Sequence, residues 1–212
     1  MDNFFEDLKS LGIVPVIKIN DSKNAVGLAR ALAKGGLRAA EITFRSDAAE
    51  ASIKAIAENV PDVCVCAGTV LTVDNAKRAV EAGAKAIISP GTNMDVVDWC
   101  LENKVTVIPG CATPTEIEAC TAKGLKVVKL FPAEVVGGVK MLKALSGPYA
   151  DVKFMPTGGI NVGNVGSYLE LKNVIACGGS WMVPEKLIDN QEFDEITKMA
   201  QAASDLVKEY RG

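Results

Sequence analysis

The order helix end, glycine, strand recurs along this chain and limits the folds open to it more than any other feature. Gly35-Gly36 closes a helical stretch and Leu37-Arg38-Ala39-Ala40-Glu41-Ile42-Thr43 follows as a strand. The same order returns at Glu81-Ala82-Gly83 before Ala84-Lys85-Ala86-Ile87-Ile88, and at Ala122-Lys123-Gly124 before Leu125-Lys126-Val127-Val128. A glycine there supplies the left-handed residue that ends a helix, so each occurrence marks the passage from helix to strand.

Strand starts are expected near residues 13, 37, 63, 85, 105, 125, 152 and 173, with stretches rich in Ala, Leu, Glu and Lys between them. A further helix, from about Asn3 to Leu11, precedes the first strand. Near-continuous apolar strands alternating with helices predict a parallel sheet covered by helices, and a count of eight favours closure. The expected fold is therefore α/β, a single-domain (β/α)8 TIM barrel over 1–212 with an extra N-terminal helix. A flavodoxin-like or Rossmann sheet is the alternative. It is weakened because Pro15 stands in the first strand and no GxGxxG follows it.

Among 212 residues, 23 Lys and Arg stand against 26 Asp and Glu, with no long block of either sign. That excludes an electrostatic case for nucleic acid or an anionic membrane and leaves a small molecule as the expected partner. The start, Met1 to Asp7, is acidic where a signal peptide is basic, and no apolar run has spanning length, so a cytoplasmic protein is expected. The six cysteines form no CxxC pair and read as reduced, small apolar residues. The chain has no histidine, which removes both the commonest general base and the commonest metal ligand. No metal and no cofactor are expected, and chemistry falls to Lys, Glu, Asp, Tyr, Cys or Ser.

In such a barrel the reactive groups lie at the C-terminal ends of the strands. Val127-Val128-Lys129-Leu130-Phe131 places an ammonium group in an apolar run. Burial disfavours the charged form of a lysine, and the neutral amine is a nucleophile toward carbonyls. The alternative is a strand-end lysine whose head group snorkels into water. Period-2 alternation puts Glu41, Thr43 and Arg45 on one side of a strand, either as a site or as a rim ion pair. Ala67-Gly68-Thr69, Ser89-Pro90-Gly91 and Pro109-Gly110-Cys111 are small-residue turns that let backbone approach a ligand or simply connect elements. Gly158-Gly159 and Gly178-Gly179 each lead toward a helix, which suits a phosphate cradle after the last two strands.

Taken together, Glu41-Ile42-Thr43-Phe44-Arg45, Ala67-Gly68-Thr69-Val70, Ile88-Ser89-Pro90-Gly91, Lys129-Leu130-Phe131-Pro132-Ala133-Glu134, Pro156-Thr157-Gly158-Gly159-Ile160 and Gly178-Gly179-Ser180-Trp181 resemble the bacterial 2-keto-3-deoxy-6-phosphogluconate (KDPG) and 4-hydroxy-2-oxoglutarate (KHG) aldolase family. The resemblance implies a class I aldolase, usually a homotrimer, that splits a 2-keto-3-deoxy sugar acid phosphate into pyruvate and glyceraldehyde 3-phosphate. It assigns Lys129 to the Schiff base and Glu41 to general acid/base work. It gives Arg45 and Thr69 the pyruvate carboxylate, Pro90 the pocket wall, Thr157 a substrate contact, and Gly158, Gly159, Gly179 and Ser180 the phosphate. Thr92-Asn93-Met94-Asp95 and Cys111-Ala112-Thr113 depart from the family pattern, in loops the resemblance places at the distal end of the substrate. A non-aldolase isomerase or synthase on a phosphate-binding barrel, or a silent sugar-phosphate binding protein, are the competing readings.

Overall fold

The computed structural model describes residues 3–212; Met1 and Asp2, which begin the acidic start, lie outside them. Helix α1 (Asn3–Leu11) leads into β1 (Ile13–Ile17) through Gly12, whose φ of 66° is the left-handed value a helix end calls for. There follow α2 (Ala25–Lys34), β2 (Ala39–Thr43), α3 (Ala49–Asn59), β3 (Cys64–Gly68), α4 (Val73–Glu81), β4 (Ala86–Ile88), α5 (Met94–Glu102) and β5 (Thr106–Ile108). The second half holds β6 (Gly110–Cys111), α6 (Pro114–Ala122), β7 (Val127–Leu130), α7 (Gly138–Leu145), β8 (Lys153–Phe154), α8 (Val165–Leu169), β9 (Cys177–Gly179), α9 (Glu185–Asp189) and α10 (Phe193–Arg211).

The architecture is α/β: a curled six-stranded parallel sheet in the order β5-β4-β3-β2-β1-β9, a three-stranded one in the order β6-β7-β8, and ten α-helices among the described residues. The strand expected near 105 is split. Ile108 pairs with Ile88 of β4, whereas Gly110 pairs with Lys129 of β7. Pro109 stands between them, and a proline has no N–H to give a ladder. Its carbonyl still accepts from Lys129 N–H at 2.8 Å, so the chain changes partner at this residue. Gly110 is required there, because a Cβ would overlap the backbone of Pro90. At the other edge, single parallel bridges join Phe154 to Val174 and Thr157 to Gly178, so the last strand starts later than the expected 173.

Two apolar clusters follow from the alternation of strand side chains. The larger fills the space between sheet and helices. The smaller takes Val14, Ala39, Cys66, Ala86, Ile88, Ile108 and Val127 from the other strand face and is stoppered by Leu8 of α1. Residues two further along the same strands, Glu41 after Ala39 and Lys129 after Val127, share that second face beyond the apolar layer.

Candidate active site

Glu41 lies in the middle of β2, paired with Val16 of β1 and Cys66 of β3. Lys129 lies in β7 beside Gly110. Both are almost wholly buried, at 0% and 4% exposure, and Lys129 Nζ donates to Glu41 Oε1 at 3.0 Å. Ionic groups are taken out of water at several kcal/mol each, and a buried pair of this kind is a poor means of stabilising a fold. The glutamate fits only because Gly68 of β3 has no side chain: a Cβ there would overlap Glu41 Oε1 and Cγ. Glu41 Oε2 has no protein partner, so one carboxylate oxygen holds the lysine and the other is buried with its hydrogen-bonding capacity unused. The Phe131 ring covers the amine, its centroid 5.5 Å from Nζ.

The pair opens into a cavity of about 330 Å³. All ten residues singled out in the sequence line it: Glu41, Arg45, Thr69, Pro90, Lys129, Thr157, Gly158, Gly159, Gly179 and Ser180. Arg45, just beyond β2, is oriented by its neighbour: its Nε donates to Thr43 Oγ1 at 3.0 Å, and that hydroxyl donates to Ile17 O at 2.7 Å. Thr69 has φ of 55°, a backbone state that costs a β-branched residue on the order of 1–3 kcal/mol and that concentrates at functional sites. Thr157 is buried with its Oγ1 unpartnered, against Gly178, where a Cβ would overlap that hydroxyl. Of three buried side-chain polar atoms left without partners among the described residues, two, Glu41 Oε2 and Thr157 Oγ1, belong to residues that line this one cavity. Buried polar atoms are nearly always satisfied, so the cavity is shaped for a polar ligand.

The glycine pairs differ from the sequence expectation in one respect. They do not open helices, since α8 starts at Val165 and α9 at Glu185, and each has only five residues. Donors come instead from loop backbone: among the described residues, the N–H groups of Gly159 and Ser180 have no protein acceptor. Gly158 and Gly159 hold φ of 102° and 81°, and the loop beyond them is tied down by Asn161 and Asn164, whose side-chain amides both donate to Gly159 O. Successive loop N–H groups in such a turn make an anion-binding concavity without a helix.

Five further residues line the cavity: Val16, Thr43, Phe131, Ile160 and Gly178. Alternation would have found Val16, two beyond Val14, and Phe131, two beyond Lys129; Ile160 is marked only as the residue that ends the Pro156–Ile160 motif. The departing loop residues lie off the lining and are engaged in structure. Thr92 Oγ1 donates to Gly110 O at 2.6 Å, Asn93 caps α5, and Thr113 caps α6. A larger cavity, about 610 Å³, lies at the opposite end beside α1 and α10. Its most buried cation, Arg211, is taken up by the carbonyls of Lys9, Leu169, Val174 and Ile175. Two further lysines are engaged as well, Lys18 just after β1 with Glu185 at 3.0 Å and Lys153 of β8 with Lys172 O at 3.4 Å. Cys66 behind Glu41 is no rival nucleophile: its hydrogen bond with Cys64 and its burial hold the thiol well above its ordinary range.

Comparison with known proteins fits this chemistry. A family model for KDPG and KHG aldolase matches residues 5–199. The 2-dehydro-3-deoxy-phosphogluconate aldolase of Haemophilus influenzae is 45% identical over 203 residues, 96% of each chain. The crystal structure of a KDPG aldolase from Legionella pneumophila, with pyruvate captured at low pH as a covalent carbinolamine, has a TM-score of 0.90 and 38% identity, covering 94% of this chain and 97% of that one. The KDPG aldolase of Zymomonas mobilis with 3-phosphoglycerate has a TM-score of 0.88 and 36% identity, covering 94% of each. A carbinolamine is the first adduct of an amine with a ketone. The match takes in every one of the ten lining residues read from the sequence, and the chain belongs to the KDPG and KHG aldolase family, a family of carbon–carbon lyases.

Proposed function

We propose that the chain cleaves 2-keto-3-deoxy-6-phosphogluconate, or a related 2-keto-3-deoxy sugar acid phosphate or 4-hydroxy-2-oxoglutarate, to pyruvate and an aldehyde. The observation that carries this is the buried Lys129–Glu41 contact at 3.0 Å at the wall of the cavity, with Glu41 Oε2 left without a protein partner. Lys129 Nζ adds to the C2 ketone, and loss of water gives an iminium. Glu41 takes the C4 hydroxyl proton as the C3–C4 bond breaks, and the bonding electrons pass into the iminium to give an enamine. The aldehyde leaves. Glu41 then returns a proton to C3, and water releases pyruvate from the lysine. General acid–base help of this kind contributes about 10²–10⁴ in rate.

Arg45 and Thr69 hold the keto acid carboxylate so that C2 meets the amine, a bidentate arrangement that guanidinium geometry favours. Pro90 and Thr157 border the middle of the substrate. Gly158, Gly159, Gly179 and Ser180 take the phosphate, a role supported by the unpartnered N–H groups of Gly159 and Ser180. The two sheets are two arcs of one eight-stranded barrel in this reading. Three features support it: β5 and β6 lie either side of one proline, bridges link Phe154 to Val174 and Thr157 to Gly178, and strands of both arcs feed one inner cluster. A single domain and a homotrimer, as the resemblance implies, complete the proposal, with Leu71, Val135 and Val162 as exposed apolar surface for subunit contacts. Among the described residues no helix is long and apolar enough to cross a membrane; a cytoplasmic location is part of the same proposal.

Ser180→Asp tests the phosphate assignment. A carboxylate set beside loop N–H donors competes with phosphate for them, so KM for the phosphorylated sugar acid should rise at least about tenfold, one charge-assisted hydrogen bond's worth. Borohydride trapping of pyruvate should stay near wild type. Equal losses for both ligands would place Ser180 elsewhere.

A further inference from the structure

Glu134 and Tyr168 lie outside the cavity lining, yet they join the two loops that carry its two ends. Tyr168, on α8, is fully buried, and its hydroxyl donates to Glu134 Oε1. A phenol in a core requires an acceptor, but this acceptor belongs to an exposed residue just beyond the strand of Lys129. Glu134 N–H donates to Gly158 O at 3.1 Å, and Ala133 N–H to Thr157 O at 2.8 Å. The Glu134 side chain also rests on Gly159: a Cβ there would lie 2.6 Å from Glu134 Cγ. Gly138, at the start of α7 with φ of 54°, is cut back around the same pair, since its Cβ would come within 2.6 Å of the Tyr168 hydroxyl and 2.8 Å of Glu134 Oε1.

Two left-handed glycines thus make room for one tyrosine–carboxylate bond, and that bond fixes the Gly158–Gly159 turn relative to β7. We propose that Glu134 and Tyr168 are positioning residues that set the distance between the Lys129 amine and the loop N–H groups receiving the substrate's phosphate, and so determine affinity for phosphorylated substrates. The inference rests on the function proposed above. Electrostatics sharpens it. A carboxylate packed against Gly159 repels a phosphate dianion, so Glu134 contributes through the geometry it imposes and against its own charge. Glutamine keeps the acceptor and removes the charge.

The test compares Tyr168→Phe, Glu134→Ala and Glu134→Gln with wild type on 2-keto-3-deoxy-6-phosphogluconate, on unphosphorylated 4-hydroxy-2-oxoglutarate, and in borohydride trapping of pyruvate. Tyr168→Phe keeps the buried ring and loses only the hydroxyl. It and Glu134→Ala should raise KM for the phosphorylated substrate about tenfold, the order of one lost hydrogen bond to a charged group. Their trapping rates and their KM for the unphosphorylated substrate should stay within about twofold of wild type, and Glu134→Gln should match or undercut the wild-type KM, as expected if geometry is the contribution. Parallel losses on both substrates, or an unchanged phosphorylated KM in Tyr168→Phe and Glu134→Ala, overturn the inference while wild-type turnover upholds the proposed function. Wild-type protein that traps pyruvate but cleaves neither substrate overturns the proposed function instead.

Discussion

On the mechanism proposed above Glu41 and Lys129 divide the chemistry between them, and the two roles can be measured apart. Imine formation needs the amine, whereas exchange of pyruvate methyl protons with solvent needs a base acting at C3 of the enamine. Glu41→Gln preserves the shape that Gly68 accommodates and removes the proton acceptor. Borohydride trapping of pyruvate should therefore persist, while deuterium exchange into pyruvate and aldol cleavage each fall about 10²-fold or more. Exchange at the wild-type rate, read by proton NMR, would reassign the base and leave Glu41 as a partner for the amine only. At this scale the sequence was informative wherever a residue was out of place: a lysine in an apolar run, an acid and an arginine on one strand face. It was silent where conformation or a distant partner made the feature. Nothing in a threonine's identity reveals the left-handed φ of Thr69, and the Glu134–Tyr168 bond spans 34 positions with no local sign at either end.

Among elements, glycine punctuation and capping chemistry located most helix ends and strand starts, because those signals are local. Partner exchange at Pro109 was not legible, since it depends on which strands lie on either side of that residue. The five-residue offset between the Gly158–Gly159 turn and α8 was likewise hidden, in a loop where the side-chain amides of Asn161 and Asn164 reach back to Gly159 O. The loop after β6, expected to meet the distal end of the substrate, closes a capping box. Thr113 accepts from Glu116 N–H, and the Glu116 carboxylate accepts from the N–H groups of Ala112 and Thr113. These bonds, that from Ala112 first, hold the Glu116 carboxyl below its usual range. A depressed carboxyl stabilises above its unfolded-state pKa and loses that contribution as pH falls through its folded value, so the cap weakens only in acid. Thr113→Ala should lower unfolding free energy by about 1 kcal/mol in urea titration, with kcat and KM unchanged. A changed KM with unchanged stability would return this loop to the substrate.

For the molecule as a whole, one face of the strands carries an apolar layer stoppered by Leu8 and, beyond it, the polar layer that opens into the cavity. The fold class was readable because helix and strand alternate with a regular beat, and the gathering of the ten residues around one cavity followed from the rule that parallel α/β sheets place function at strand C-termini. The larger cavity at the other end shows why volume alone would mislead: its half-buried arginine is already satisfied by backbone carbonyls, whereas the smaller cavity is lined by Glu41 and Thr157, each with an unpartnered oxygen. Everything proposed for this chain depends on one covalent step at one lysine. The most direct measurement is reduction with sodium borohydride in the presence of pyruvate, followed by intact mass and peptide mapping. The account predicts a single reduced pyruvate per chain, located on Lys129, with Lys18 and Lys153 unmodified. A label on either of those two lysines, or no pyruvate-dependent label at all, would contradict it.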